Sequence, residues 1–599
     1  MEHITDMAAG SNPLGSDGEA ERTTHAGRTT AKLSRSRRWL FRFLAIVLGL
    51  SPLVVLELGL RVLGIGADLA LVVPWQGSLG WYQLNPKFDQ PFYGRSDLSG
   101  PEGRPFRLPK PAGTKRVLVV GGSTVVGFPY PSELAFPRQM QELLQAQADA
   151  GETIEVLNAG ITAMNSSSEV AVVEEGLSVQ PDAIVVYTGH NEFYGPGGVA
   201  SSAGQIESNW FRRIARWRRL YLVQAVSRLT QSRTQPNDLI ESLPGDLHIP
   251  LDSDTFQRAN QRFEQNLSEM AKLADAAQVP ILFVSPVANE RDQPPIENIN
   301  PAERSAEEEA RHRKQLVIEW QAQFGDAQQG IEKLERLRVE RDGDPNIRFR
   351  LAQGYERVGR TNDAVVQFQA ALDLDGCRFR APSAFRATVQ SVAARHATGR
   401  ASFVDLHAAI CQADAIPALG RKHMLEHVHF TWEGNRVAAD TIARSLWRQA
   451  WSREWMEAKS LNDESLRTRM AVQPEDDLAA LALAMMIYAR PPFRDGVDAS
   501  MLAHRLADDS VKEFQRLPKN RQKLFETMTP ADMTGTLLDS VIAAARTSVD
   551  DEQLGHWLRA RVVRQPWRAD ARNELARWLD QHGSPEEAAH TRAGAAHWP

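Results

Sequence analysis

Ser123 follows two glycines in the string Gly121-Gly122-Ser123-Thr124. Further along come Asn158-Ala159-Gly160, Thr188-Gly189-His190-Asn191-Glu192-Phe193 and Ser285-Pro286-Val287-Ala288-Asn289, and the last string is Glu426-His427-Val428-His429-Phe430-Thr431. Together they hold hydroxyls, amides, imidazoles and carboxylates, the parts from which nucleophilic acyl transfer is assembled. Taken singly, each string is ordinary. Gly-Gly-Ser is most often only a turn, an Asn after a strand is usually a cap, and a His ahead of a helix is usually exposed. What matters is whether one fold gathers them.

The surrounding pattern says how it would. Val117-Leu118-Val119-Val120 is a short unbroken apolar run that stops at the first string, as a buried parallel strand stops at its turn. Four runs look alike: Ile154 to Leu157, Ala183 to Tyr187, Val279 to Val284 and Phe403 to Leu406. Between them lie helical stretches, such as Phe256, Phe263, Leu267, Met270 and Ala277 at helical spacing. Alternating strand and helix predicts a parallel sheet covered on both faces, with ligands beyond the carboxyl ends of the strands. The polar strings stand at those ends. After the last string, Thr431 is the expected N-cap of a helix burying Ala438, Ile442 and Leu446.

In this order the strings resemble the blocks of the SGNH (GDSL-type) hydrolase superfamily, over residues 115–290 and 375–450. Ser123 matches the nucleophile block, Gly160 the second, Asn191 the third and His429 the last. The strings Thr-Gly-His-Asn-Glu-Phe and Glu-His-Val-His-Phe-Thr look like the branch that carries tetratricopeptide repeats in the same chain. The resemblance implies a flavodoxin-like three-layer α/β/α fold and hydrolysis of acyl esters.

Elementary chemistry agrees with those assignments. A serine hydroxyl is a poor nucleophile until an imidazole takes its proton, and His429 is the candidate base. Glu426, three residues earlier, stands where the family usually has Asp and would hold the imidazole's other nitrogen. The oxyanion donors implied are the backbone N–H groups of Ser123 and Gly160 and the side-chain amide of Asn191. Some positions depart from the family. Gly122 replaces its usual Asp, Trp432 its common Pro, and Glu426 is one methylene longer than Asp, which predicts looser geometry. His427 is a second imidazole, so either histidine could be the base, and the spacing from Glu426 favours His429. His190 and Glu192 either shape the pocket or support it structurally.

Composition narrows the setting. With 69 Lys and Arg against 75 Asp and Glu, the net charge of −6 carries no basic excess and disfavours nucleic acid as a partner. Two cysteines, Cys377 and Cys411, exclude a disulfide framework, and no Cys/His spacing suits a structural zinc; no cofactor or metal is expected. Two unrelated thiols are favoured over a Cys377–Cys411 bridge. Residues 1–31 lack apolar periodicity and are expected to be disordered. Lys32, Arg35, Arg37, Arg38 and Arg42 then precede an apolar stretch from Phe43 to Leu60, broken only by Glu57 and carrying Pro52. That length matches a transmembrane helix; the flanking charge predicts that the rest lies outside the cytoplasm, in the periplasm if the cell is Gram-negative, and with no clear small-x-small cleavage site after it an uncleaved anchor is expected.

Residues 301–376 form an insertion too long for a loop. In it, Leu351, Ala352, Tyr355, Gly359, Ala364, Phe368 and Ala371 have tetratricopeptide spacing; Gly325, Gly330, Leu334 and Leu337 read as a degenerate copy, and Leu575, Ala576, Leu579, Gly583 and Ala588 as a further one. Such helices need stacked neighbours and would offer a surface to a protein partner. The stretch Trp210 to Arg219 reads as an amphipathic helix, either touching a membrane, covering the site as a lid or packed elsewhere.

At about 150 residues per domain, 599 residues correspond to about four units. The expected partition is a tail over 1–38, an anchor over 39–65, a linker over 66–114, a discontinuous hydrolase domain over 115–300 and 377–450, the insertion over 301–376, and a helical region over 451–599 with a repeat-like end. The expected function is a membrane-anchored serine esterase using Ser123, His429 and Glu426 on an acyl ester of a lipid or an acylated glycan. The alternatives are an O-acyltransferase acting on a cell-surface glycan, or a non-catalytic repeat scaffold built on a degraded hydrolase.

Overall fold

The structure, a computed structural model, describes residues 34–94, 100–201, 203–230, 247–296, 326–415, 417–496, 498–526, 537–548 and 550–594, with a few isolated positions besides. The expected disordered tail and Gly325 lie outside the described residues. The chain divides into two compact units, residues 1–64 and 65–599.

In the first unit a single helix, α1 (Arg35–Val62), carries the apolar stretch, with a mean hydropathy of 2.3 in its most apolar window and no buried residue. It is long and apolar enough to cross a membrane. Ser34 caps its start. Pro52 lies inside it, and the Glu57 carboxylate is met one turn on by the Arg61 guanidinium at 2.8 Å, which offsets the cost of a charge in an apolar helix.

The second unit begins where a linker is expected, yet three short strands form there. β1 (Val72–Pro74), β2 (Trp81–Leu84) and β3 (Pro105–Arg107) pair antiparallel, and between the last two a short helix, α2 (Gln90–Tyr93), turns Phe92 inward. Leu71, Leu84, Phe88, Phe92 and Phe106 are buried in the same cluster as the main sheet, so this segment is part of the core.

The main sheet has five parallel strands: β4 (Thr114–Gly121), β5 (Thr153–Asn158), β6 (Ala183–Tyr187), β7 (Ile281–Val284) and β8 (Ala401–Val404). Their order is β5-β4-β6-β7-β8, a doubly wound mixed α/β arrangement. Alternation sorts the core by face. Val117, Val119, Val185 and Tyr187 pack with α4 (Phe136–Gln147) and the helix Trp432–Ser445, whereas Leu118, Val120, Ile184 and Val186 pack with α5 (Ser166–Gly176), α8 (Asp254–Ala276) and the helix Ser383–Arg395. Both faces are covered, which is why the strands read as unbroken apolar runs.

Two strand boundaries differ from expectation. β8 spans Ala401–Val404 and not Phe403–Leu406, because the Asp405 side chain caps the helix Leu406–Ala413 by accepting from the Ala408 N–H; Leu406 is buried as a helical residue. β7 starts at Ile281 because the Val279 N–H still closes α8 onto the Ala274 carbonyl.

The insertion contains the helices Ala327–Glu340, Pro345–Arg357 and Thr361–Leu374, the last two joined at Gly359 with φ 78°. Ile331, Leu334, Ile347, Leu351, Ala352 and Phe368 form its core. After residue 451 the described chain is helical, from Asp463–Arg469 to a final pair, Ala569–Gln581 and Pro585–Ala593, built around fully buried Trp557. A buried ion pair, Arg350–Asp498 at 2.5 Å, ties the insertion to this region. Tyr130 Oη donates to Asp477, and Trp432 Nε1 to Asp463, each at 2.7 Å; these bonds tie the helical region to the sheet domain.

Candidate active site

In this strand order the direction of winding reverses between β4 and β6, and ligands bind at such a switch point beyond the strand ends. β4 ends at Gly121, where a side chain would collide with the Tyr187 carbonyl of β6, so the strands can separate only beyond it. Gly122 then opens α3 (Ser123–Val126), which sets Ser123 in the first turn with a backbone N–H that has no acceptor inside the helix. From the neighbouring strand, Thr188, Gly189, His190 and Asn191 line the opposite wall. The cavity between them holds about 10 Å³, room for one oxygen-sized group.

The last string comes to the same place. Ser123 Oγ lies 2.7 Å from His429 Nε2, although 306 residues separate them. The other ring nitrogen, Nδ1, meets Oε1 of Glu426. The edge of Phe128 faces the His429 ring, with centroids 4.8 Å apart. Thr124 Oγ1 donates to the Val428 carbonyl at 3.4 Å, a further link between the nucleophile turn and this loop.

Glu426 is fully buried, and its side chain folds back over its own loop. Oε1 accepts the His429 N–H at 3.1 Å, and Oε2 accepts the Val428 N–H at 3.2 Å and the His427 N–H. Burial by itself would raise this carboxyl, but the two imidazoles, through charge and hydrogen bonding, hold it well below the usual carboxylate range. The longer glutamate is thus bound on both oxygens. His427 sets its Nδ1 against Oε2, with its ring 5.7 Å from that of His429 and 4.5 Å from that of Phe493. Of the two imidazoles, His429 is the one hydrogen-bonded to Ser123.

Asn289, at the exit of β7, supports the loop from below: its N–H donates to the His427 carbonyl at 2.9 Å and its amide to the Glu426 carbonyl at 3.0 Å. This support was not read from the sequence, where Asn289 stood only as a polar residue after a strand. Phe493 was also missed, because nothing local marks a phenylalanine in a distant helical region as a neighbour of this site.

The three expected oxyanion donors are placed differently. Ser123 and Asn191 line the cavity, and the Asn191 amide also donates to the Met164 carbonyl at 2.9 Å. Gly160 does not line it. Its N–H donates to Asn158 Oδ1 at 3.0 Å, and a β-carbon there would press on Val126 N at 2.6 Å, so Gly160 serves close packing of the β5 exit against α3.

The residues flanking Asn191 bind neighbouring segments. His190 Nδ1 accepts the Ala381 N–H at 3.2 Å, and burial followed by the nearby imidazoles lowers its pKa to about 3. Glu192 accepts the N–H and the hydroxyl of Ser166 at 2.8 and 2.6 Å. Burial pushes its pKa up to about 7, against those hydrogen bonds. Both therefore shape the wall through structural bonds, with His190 also facing the cavity.

Glu426, His427 and His429 bring ligand atoms within 4.8 Å of one another, a geometry that suits a metal ion. Those atoms are already engaged with each other, with backbone N–H groups and, through Nε2, with Ser123. The arrangement is that of a base oriented by an acid and aimed at a hydroxyl. Cys377 and Cys411 are both free thiols.

No family profile and no curated protein matches the chain. Among solved structures, a lipolytic protein of the G-D-S-L family from Desulfitobacterium hafniense aligns over 55% of this chain and 98% of its own, at 10% identity and a TM-score of 0.25. An alpha/beta hydrolase enzyme from the metagenome of Lake Arreo, Spain, aligns over 55% and 93%, with the same identity and TM-score.

Proposed function

We propose that the chain is a membrane-anchored serine esterase. One observation carries this reading: the Ser123 hydroxyl, the His429 imidazole and the Glu426 carboxylate form an unbroken hydrogen-bonded line beside an oxygen-sized cavity. Ser123 Oγ attacks the ester carbonyl while His429 Nε2 takes its proton and Glu426 stabilises the imidazolium. The charge on the tetrahedral oxygen is met by the Ser123 N–H and the Asn191 amide. Gly160 can contribute a donor only where its bond to Asn158 opens. The imidazolium then protonates the leaving alkoxide, and water, activated by the same imidazole, releases the acyl group.

The substrate class is an acyl ester of a lipid or of an acylated glycan. Transfer to a sugar hydroxyl would use the same residues and differ only in the acceptor. The positive charge ahead of α1 supports an extracytoplasmic site. The helix pairs around Gly359 and Gly583 are read as tetratricopeptide-like and as a surface for a protein partner.

The test is labelling of the intact protein by a fluorophosphonate probe, beside Ser123→Ala and His429→Ala. A Ser123-dependent adduct and turnover of short acyl esters are expected. Folded protein that forms no such adduct and turns over no ester would overturn the esterase reading in favour of a scaffold.

A further inference from the structure

The surface of the second unit that follows the anchor in the chain carries an unusual helix pair. In α6 (Ser208–Arg218), Trp210, Arg213 and Trp217 recur at three- and four-residue spacing and so share one face. That face points outward: Trp210 is 52% and Trp217 59% exposed, and the Arg213 guanidinium lies 4.9 Å over the Trp210 ring. The opposite face is anchored, with Phe211 and Ala215 in the core and Arg212 paired to Glu269 at 2.6 Å. The exposed stripe continues through Leu220 into α7 (Tyr221–Thr230), where Arg228 and Leu229 are exposed, Leu229 at 87%. None of these residues lines the Ser123 cavity.

The chain that follows the anchor is held by this helix pair. The Ala67 N–H donates to Gln224 Oε1 at 2.9 Å, and Gln224 Nε2 donates back to the Ala67 carbonyl at 3.0 Å. Beside it, Gly66 packs so closely on the Tyr221 ring that a β-carbon would collide with it. The segment that follows α1 is thus fastened to α7. From Val62, the last residue of α1, to Ala67 is five residues, and at about 3.6 Å each they reach no further than about 18 Å.

We propose that the outer face of α6 and α7 is a membrane-docking surface that lies on an anionic bilayer, with Trp210, Trp217 and Leu229 in the interfacial layer and Arg213 and Arg228 on lipid phosphates. Tryptophan and arginine are the residues that settle at that depth, the rings among the headgroups and the guanidinium groups drawn to an anionic surface. Arg216 and Arg218 are excluded from this count because Glu174 and the Pro91 carbonyl already hold them. The choice of a bilayer as the occupant is argued from reading α1 as a membrane span, and the two are tested separately.

The full chain in nanodiscs of equimolar phosphatidylcholine and phosphatidylglycerol provides the test. A nitroxide is placed at Trp217→Cys, at Val54→Cys in α1, or at Val366→Cys, an exposed position in the insertion, each in a Cys377→Ala, Cys411→Ser background. Collision with oxygen and with a water-soluble nickel chelate is measured at each. The oxygen-to-nickel ratio at 217 should exceed that at 366 several-fold, as in lipid. An equal ratio at 217 and 366 overturns the docking surface, and so does low access of both reagents at 217, which reports a protein contact such as a second copy. The label at 54 reads the anchor separately: a watery 54 with a lipid-like 217 would overturn the span and leave the docking face standing, and water at both removes both.

Discussion

The amide nitrogen of Asn191 lies 2.7 Å from the point where a β-carbon on residue 122 would stand. Gly122 therefore leaves the space that this amide occupies beside Ser123. The second glycine of the Gly-Gly-Ser string thus has a local consequence: it sets how closely the Asn191 amide approaches the turn that carries Ser123. The backbone at Gly122 has φ −86°, which any residue adopts, so alanine there acts by sterics alone.

Gly122→Ala should lower turnover of short acyl esters by about 100-fold through displacement of the amide. Asn191→Ala should cost about 100- to 1,000-fold. The double variant should be no slower than Asn191→Ala, since both remove the same donor. Steady-state kinetics beside melting temperatures would check this, and fully additive losses would show that residue 122 acts by another route.

Glu426→Gln keeps the shape of the side chain but offers an NH2 group where the His429 imidazole and three backbone N–H groups now find acceptors and the His427 imidazole lies in contact. Turnover should fall by about 10,000-fold, the scale for an acid that holds a histidine in the wrong tautomer when amidated. Glu426→Asp keeps the charge but shortens the reach, so its loss should be smaller. Equal activity of Glu426→Gln and the parent chain would remove the acid from the mechanism.

Glu192 makes a prediction about stability and pH. Its folded pKa of about 7 lies above the ordinary 4.5, so the folded state binds the extra proton between those values and stability falls as pH rises through them. Glu192→Gln removes that dependence. Relative to the parent, the variant should gain up to about 3 kcal/mol on going from pH 4 to pH 8, read from denaturant melts at each pH. A constant difference between the two proteins across that range would refute the assignment.

Phe493 is 4% exposed and packs at a tilt against His427, which in turn faces Glu426. Phe493→Ala should cost about 3 kcal/mol of stability and reduce kcat more than it changes KM, because the acid loses its backing while the Ser123 cavity keeps its lining. Phe493→Leu should restore most of kcat. An unchanged kcat in a folded Phe493→Ala protein would show that the helical region does not support the site.

Much of this was legible in the sequence because it is encoded locally. Val117 to Val120 and Ala183 to Tyr187 read as buried strands from a few apolar residues each, and Gly121, Asn191 and His429 could be placed at element ends from their immediate neighbours. Hydropathy marks the apolar Phe43–Leu60 part of α1, but the helix starts at Arg35, within the stretch expected as tail. Where local signals ran on, the reading drifted: Leu406 looked like the end of a strand until the Asp405 cap claimed it for a helix.

What the amino-acid order by itself determined, then, is the succession of strands and helices in the main sheet, though not the three strands in the expected linker, and the presence of a serine, a histidine and an acid at their ends. Only the tertiary structure decided that His429 and not His427 meets Ser123, that the Gly160 N–H turns to Asn158, and that Phe493 backs the acid loop from a separate helical region. The reason is range. Periodicity and turn chemistry act over a few neighbouring residues, whereas these pairings depend on how backbone segments far apart in the chain pack against one another, and on where buried hydrogen-bonding groups find their partners.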